Sequence, residues 1–402
     1  MTGQMPEYSS AGATDISFSD EGNTISVRNR FNYSYEVLFA GKDILSAGNP
    51  TLHDAIAGRK CLVVMGEKVN AIYGKRVEDY FRRWFDRGTF SMAALPVSEN
   101  TKNIETVMKI CAEGKRFGLD RRSLFVAIGG GVLMDAVGLA SSIYMRKLDY
   151  VRVPTTLVGQ VDAGIGLKTG VNFEDGKNFI GSFHPPTAVL NDFRFLRTLS
   201  AEEIRNGLAE IAKMAIVADA GLFSMLESNR TSIVHWYTSG ENETLTREIN
   251  IRAAGRMLEQ LQLNPYENSL ERIVDFGHTF SPFIEMHTGH RIRHGRAVAL
   301  DMAISAEISF ILGRADTTFR NRILSMLSAF GFSLHDDEAF DAELMWQSLD
   351  PIILRRGGKL NLVVPTACGR GEFLRDKMEL EKAVLEQALA NLNGYRPGDL
   401  LE

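Results

Sequence analysis

The sequence predicts an α/β protein: an N-terminal doubly wound parallel sheet of Rossmann-like type, followed by a mainly α-helical C-terminal domain. Three observations predict it. Short apolar runs alternate with amphipathic stretches from about residue 59 to 156, strand signals then give way to long helical periodicities, and 402 residues exceed what one core usually holds. The expected division is a flexible segment over 1–30, the α/β domain over 31–198 and the helical domain over 199–402.

Taken in order, KCLVVMG (60–66) is a buried strand, residues 69–88 carry an amphipathic helical pattern, and FSMAALPV (90–97) returns to strand spacing. NIETVMKICAEGKRFG (103–118) is helical, SLFVAIGGG (123–131) a second buried strand, VLMDAVGLASSIYM (132–145) a helix and YVRVPTT (150–156) another strand. Continuous apolar strands separated by helices imply a parallel sheet covered on both faces. Beyond residue 198 the helices are expected over 201–228, 245–262 and 297–314; KLNLVVP (359–365) is one late extended piece, and a Glu/Lys/Leu-rich helix over 376–392 follows.

Composition narrows the class. With 45% hydrophobic and 24% charged residues the chain is globular rather than disordered or fibrous. A net charge of −5 offers no basic field for nucleic acid or an anionic membrane, so an anion site has to be local. Cys61, Cys111 and Cys368 form no CxxC pair, which suits a reducing compartment, and they are expected as buried small hydrophobes. No stretch reaches the roughly 18 apolar residues of a spanning helix, and the polar, acidic start lacks a signal-peptide pattern, so a soluble cytoplasmic protein is expected.

Three features carry chemistry. Phe125-Val126-Ala127-Ile128 runs into Gly129-Gly130-Gly131 and then a helix, a layout in which bare amides can approach a pyrophosphate or in which a tight turn simply needs glycine. Asp135, read as lying in the first turn of that helix, opposes phosphate there and suits a sugar hydroxyl. Between 146 and 178, Arg146, Thr155, Thr156, Asp162, Lys168, Asn172, Lys177 and Asn178 lie in a glycine-rich segment, the make-up of a phosphate site or of a solvated loop. Glu210 and Lys213 share a helix face three residues apart, and His278 and His294 follow. One carboxylate and two imidazoles with an open position are the donor set of a catalytic zinc site. His287, His290 and His294 are also mutually close, with His287 and His290 favoured as surface histidines and Gly289 and Gly295 weakening a helix there; His53, His184, His235 and His335 receive no metal role.

These features, in this order, resemble the dehydroquinate synthase-like sugar phosphate cyclases. The resemblance spans about residues 32–390 and is carried by ENTKNIETV, GGGVLMDAVGLASSIYMR, VPTTLVGQVDAGIGLKTGVN, GKNFIGSFHPP, NGLAEIAK, FGHTFSP and HGRAVA. It implies NAD and a divalent metal, zinc or cobalt, the metal held by Glu210, His278 and His294. It further implies that Glu99, Lys102, Gly130, Gly131, Asp135, Thr155 and Thr156 line NAD, with Asp162, Lys168 and Lys177 at cofactor and substrate hydroxyls. Lys168, Asn178 and Lys213 would grip the substrate phosphate and Arg146 would reach it from a neighbouring subunit, which implies a homodimer. A Lys213→Ala change is then expected to reduce phosphate elimination more than stability.

Departures from dehydroquinate synthase bear on the substrate. Pro282 stands where GHTxGH carries its second histidine, ILRRGGK replaces a DKK segment, and Asp275 replaces the Asn of NFGHT, where it would repel a carboxylate. GHTFSP, VGQVDAGIGLKTGVNF and FHPP resemble the branch acting on sedoheptulose 7-phosphate, with 2-epi-5-epi-valiolone synthases the nearest type. Asp275 matches the valiolone type, where the gadusol type has Ala; Arg355 or Arg356 falls where the former has His and the latter Thr. The implied reaction is cyclisation with phosphate release through transient NAD oxidation, elimination, reduction and intramolecular aldol addition, with Lys168, Lys213, Asp162, Asn178, Arg146 and Asp275 as the catalytic set. 2-Epi-valiolone synthase, desmethyl-4-deoxygadusol synthase, 3-dehydroquinate synthase and a metal-dependent polyol dehydrogenase are the alternative readings.

Overall fold

The computed structural model describes residues 15–18, 25–28, 32–174 and 176–395. The chain divides into two compact units, one taking the residues up to Pro154 and Leu167–Asp192, the other Thr155–Gly166 and the residues from Phe193 onward. Residues 155–166 thus group with the helical unit, although in sequence they lie inside the stretch expected to be the α/β domain.

Within the segment expected to be flexible, β1 (Asp15–Phe18) pairs antiparallel with β2 (Ile25–Arg28). The rest of 1–30 lies outside the described residues.

The first unit is built on a sheet of β3 (Glu36–Phe39), β4 (Cys61–Gly66), β5 (Phe90–Leu95), β6 (Leu124–Gly129), β7 (Asp149–Pro154) and β10 (Ala188–Asn191), in the order β3-β10-β7-β6-β4-β5 with every neighbour parallel. β6 is buried along its whole length and β4 everywhere but its final glycine, which is why both read as unbroken apolar runs. Helix α1 (Thr51–Ile56) precedes β4, and helices α2 (Glu67–Trp84), α3 (Ile104–Phe117) and α4 (Gly131–Ile143) connect the strands, α3 started by the Asn103 side chain accepting from Thr106 N–H. Leu62, Val64, Ile110, Phe125, Met134 and Val137 anchor the core. β5 lies on one side of β4 and β6 on the other, so the winding reverses between β4 and β6, and crevices at the carboxyl ends of strands open at such a reversal. β6 ends there, at Gly129, and Gly130 caps α4.

β3 and β10 carry no sequence signal comparable to β4 or β6, being four residues each, with β3 at the sheet edge and half exposed. The glycine-rich segment after residue 166 is regular: β8 (Lys168–Phe173) and β9 (Gly176–Phe183) form an antiparallel hairpin.

The second unit is helical around α5 (Ala201–Ala218) and α10 (His294–Ile311), both buried over most of their length. The stretch 201–228 is not one helix. Asp219 breaks it, its carboxylate accepting from Leu222 N–H to start α6 (Ala220–Ser228) and pairing, beyond the short α7 (Ile233–Ser239), with Arg252 and Arg256 on α8 (Glu243–Leu263). The extended piece 359–365 leads into β11 (Leu362–Ala367), which pairs with β12 (Arg370–Leu374), and the last helical stretch breaks at Glu381 (φ 54°). Among the described residues no helix is long and apolar enough to cross a membrane. Cys61 is buried, whereas Cys111 and Cys368 are partly exposed, because only Cys61 lies in a central strand.

Candidate active site

α5 places Glu210 and Lys213 one turn apart on a buried face, and Lys213 Nζ lies 2.7 Å from Glu210 Oε2 and 2.9 Å from Asp162 Oδ2. Glu210 Oε1 faces the two imidazoles, 3.0 Å from His294 Nε2 and 3.8 Å from His278 Nε2. One ligand atom from each of Glu210, His278 and His294 lies within 4.8 Å of the others.

Backbone chemistry explains how residues so far apart in sequence meet. His294 opens α10, and a side chain on Gly295 would land on the Asn206 Cα of α5, one turn before Glu210. Glycine therefore lets the two helices approach until His294 reaches Glu210. His278 follows Gly277, whose φ of 74° turns the chain just before α9 (Ser281–His287). His278 Nδ1 lies 3.0 Å from the Phe276 carbonyl oxygen, which as an acceptor takes the ring N–H and leaves Nε2 unprotonated toward Glu210.

Electrostatics sort the protonation states. Burial pushes the Glu210 carboxyl up, but Lys213, His278 and His294 outweigh it and hold it well below the usual carboxylate range. Burial together with the Lys213 charge lowers His278 to about 4, so it is neutral at pH 7. His294 goes the other way: burial disfavours its charge, yet bonds to Glu210 and Glu285 raise it to about 9. Asp162 is raised chiefly by burial, against the pull of Lys213. Lys213 is raised because Asp162 and Glu210 overcome its burial. An ionised carboxylate, a neutral imidazole and a second imidazole with its Nε2 turned to the same point fit a divalent cation.

Two carboxylates escaped the sequence reading. Glu285 Oε1 sits 3.0 Å from His294 Nδ1, a contact made across a loop and without a spacing signal. Asp301 Oδ2 accepts the N–H groups of Thr279, Phe280 and Ser281 at 2.8, 2.5 and 2.9 Å, pinning the chain just after His278. Its signal was legible: a lone charge in the apolar run AVALDMAIS has to find partners once the helix is buried.

Asp275 is not an unbalanced acid. Arg272 Nη2 lies 3.0 Å from one of its oxygens and Arg356 Nη2 3.8 Å from the other, so repulsion of a carboxylate substrate loses its physical basis. Arg356 is half-buried and also donates to Thr279 Oγ1 and to the Leu360 carbonyl, whereas Arg355 is exposed and bonds the Pro351 carbonyl. Of the two arginines, Arg356 is the one beside the His278 loop. His287 and His290 are exposed, with His287 stacked on Phe283.

In the first unit Lys102 Nζ joins Asp135 Oδ2 at 2.6 Å and Asn178 Oδ1 at 2.5 Å, and Glu99 Oε1 accepts from Asn172 at 2.9 Å. Asp135 lies one turn inside α4 rather than in its first turn, so it leaves the Gly130–Gly131 amides unopposed, and it faces Lys102. Asn178, expected at phosphate, is engaged by Lys102. Lys168 and Lys177 are exposed on the β8–β9 hairpin, and Arg146 is exposed with a left-handed backbone (φ 77°). In the second unit Thr155 is buried and Thr156 Oγ1 accepts from Gly159 N–H.

Comparison with known proteins agrees with this architecture. The 3-dehydroquinate synthase N-terminal family model matches residues 92–206 and the C-terminal model residues 207–350. A 2-epi-5-epi-valiolone synthase from Streptomyces glaucescens is 43% identical over 85% of this chain and 87% of that protein. A 3-dehydroquinate synthase from Dictyoglomus thermophilum is 36% identical over 75% and 82%. Among solved structures, the 2-epi-5-epi-valiolone synthase of Streptomyces hygroscopicus subsp. jinggangensis with NAD+ and Zn2+ bound superposes with a TM-score of 0.84 at 36% identity, covering 92% of this chain and 99% of that one. The chain belongs to the 3-dehydroquinate synthase family.

Proposed function

We propose that this protein is an NAD- and metal-dependent sugar phosphate cyclase that converts sedoheptulose 7-phosphate to 2-epi-5-epi-valiolone with release of phosphate. The observation that carries the reading is the convergence of Glu210, His278 and His294 beside Lys213 and Asp162 in a chain 43% identical to a synthase of that product. Glu210, His278 and His294 would hold Zn2+ or Co2+, and Glu99, Lys102, Gly130, Gly131 and Asp135 would line NAD. When bound, the metal supplies a Lewis acid for a substrate hydroxyl and NAD a hydride acceptor that returns what it takes.

The residues of the chain do the rest. Lys213 holds Glu210 Oε2, which leaves Oε1 aimed at the imidazoles and fixes the carboxylate rotamer. Asp162, its carboxyl raised by burial, lies against the Lys213 ammonium, and a substrate phosphate would compete with it for Lys213. Lys168, exposed in this chain, would supply a further cation for a phosphate leaving group, and Arg146, also exposed, another from the second subunit of a homodimer.

The test is phosphate release by metal-loaded protein with catalytic NAD, offered sedoheptulose 7-phosphate or the seven-carbon keto-acid phosphate of dehydroquinate synthase, with the cyclitol identified against standards. Release from the sugar alone with 2-epi-5-epi-valiolone as product supports the reading; another epimer or a deoxygadusol corrects the product. Release from the keto-acid alone refutes it in favour of 3-dehydroquinate synthase activity, a reading that the ion-paired Asp275 does not oppose.

A further inference from the structure

We propose that Glu285 is a positioning residue for His294, holding the imidazole by its Nδ1–H so that Nε2 is presented to the metal. The inference rests on the reading of Glu210, His278 and His294 as metal ligands. An imidazole binds a cation only through an unprotonated nitrogen, and the hydrogen bond made by its other nitrogen decides which one that is. In His294 the two nitrogens face opposite carboxylates, Nδ1 at 3.0 Å from Glu285 Oε1 and Nε2 at 3.0 Å from Glu210 Oε1. Glu210 Oε1 is also within reach of His278, so the Nε2 side is the ligand side and Glu285 stands behind the ring.

Glu285 is built for holding rather than for contact with solvent. Its side chain is 7% exposed, it sits on the short helix α9, and the start of that helix is pinned by three N–H groups on the Asp301 carboxylate. α9 begins three residues after His278, so the same pinned segment that fixes one imidazole carries the carboxylate that fixes the other. The two rings are not held equally: His278 Nδ1 meets a neutral carbonyl, His294 Nδ1 a full negative charge, which would make the His294 ring the stronger donor to a bound cation.

The experiment is zinc affinity of the full-length, metal-stripped protein by competition with a chromophoric chelator, for the parent, Glu285→Gln and Glu285→Ala. Glu285→Ala is expected to weaken zinc roughly 10- to 100-fold; Glu285→Gln, which keeps an acceptor but loses the charge, is expected to weaken it less. The visible absorption of the cobalt-loaded Glu285→Gln protein is expected to shift, a signature that loss of packing alone does not produce. Parent-like zinc affinity and cobalt spectra in folded variants would overturn the proposal while leaving the metal site standing. A parent protein that binds no zinc would overturn the metal reading and this proposal with it. Should Glu285→Ala fail to fold, Glu285→Gln decides the matter.

Discussion

Replacing Lys213 with methionine keeps most of the side-chain volume but removes a charge that two carboxylates share. Lys213 Nζ is 2.7 Å from Glu210 Oε2 and 2.9 Å from Asp162 Oδ2, and its side chain is 3% exposed. At an effective dielectric of about 20, each contact is worth roughly 6 kcal/mol before desolvation. The variant does not lose that sum, because one carboxyl can take up a proton, and Asp162 is already raised by burial. A net loss of about 3–5 kcal/mol, the usual result of orphaning a buried partner, is expected. For a unit of this size that is a fall of roughly 10 °C in the melting midpoint. Lys213 is therefore expected to matter for stability as well as for turnover, unlike the expectation drawn from its family role alone. The pH sign follows from the raised carboxyl: the variant's folded pKa exceeds its unfolded value of about 4, so stability is fully kept below about 4 and is lost as pH rises from there through the folded pKa. Thermal melts of metal-free parent and Lys213→Met at about pH 7 and about pH 5 should show a larger gap at the higher pH. A midpoint unchanged at both values refutes the claim that Lys213 balances buried charge.

Further outcomes are expected elsewhere in the second unit. His278→Ala should lose bound zinc, measured as metal content after gel filtration; full retention would move the ligand role toward His287 and His290. Gly295→Ala should cost about 1–3 kcal/mol and weaken zinc binding, because α10 has to retreat from Asn206; chemical denaturation with a zinc titration checks both, and a parent-like result means the helices have room. For Asp219, burial raises the carboxyl but bonds from Arg252, Leu222 N–H and Arg256 outweigh it and hold it well below the usual range. Its contribution is thus present at neutral pH and lost as pH falls below the unfolded value of about 4. The stability gap between the parent and Asp219→Asn should close on acidification, and a gap independent of pH contradicts the ion-pair account.

What could be read from the sequence is what local periodicity and residue chemistry encode. CLVVMG and LFVAIG announce strands buried on both faces because such strands have no polar side to show. Gly129–Gly131 marks a strand end meeting a helix start, and Glu210, His278 and His294 are the donor types a catalytic metal takes. Short edge strands such as β3 and the helix break at Asp219 were not legible, since partners far along the chain decide them, and the β8–β9 hairpin was hidden because glycine-rich strands carry little of the apolar alternation that marks a strand.

The site divides the same way. Sequence alone did not force the Glu210, His278 and His294 set, although it favoured His287 and His290 as surface histidines; the tertiary structure brings His294 to Glu210 because Gly295 lets α10 touch α5, while His287 and His290 are exposed. Only the folded chain shows Glu285 behind His294, Asp162 against Lys213, and Arg272 and Arg356 cancelling the Asp275 charge. Sequence by itself determined the chemical types present and the regular elements that carry them. Tertiary structure decided which charges meet, because the strength of an ion pair depends on distance and burial, and neither is a property of a residue's place in the chain.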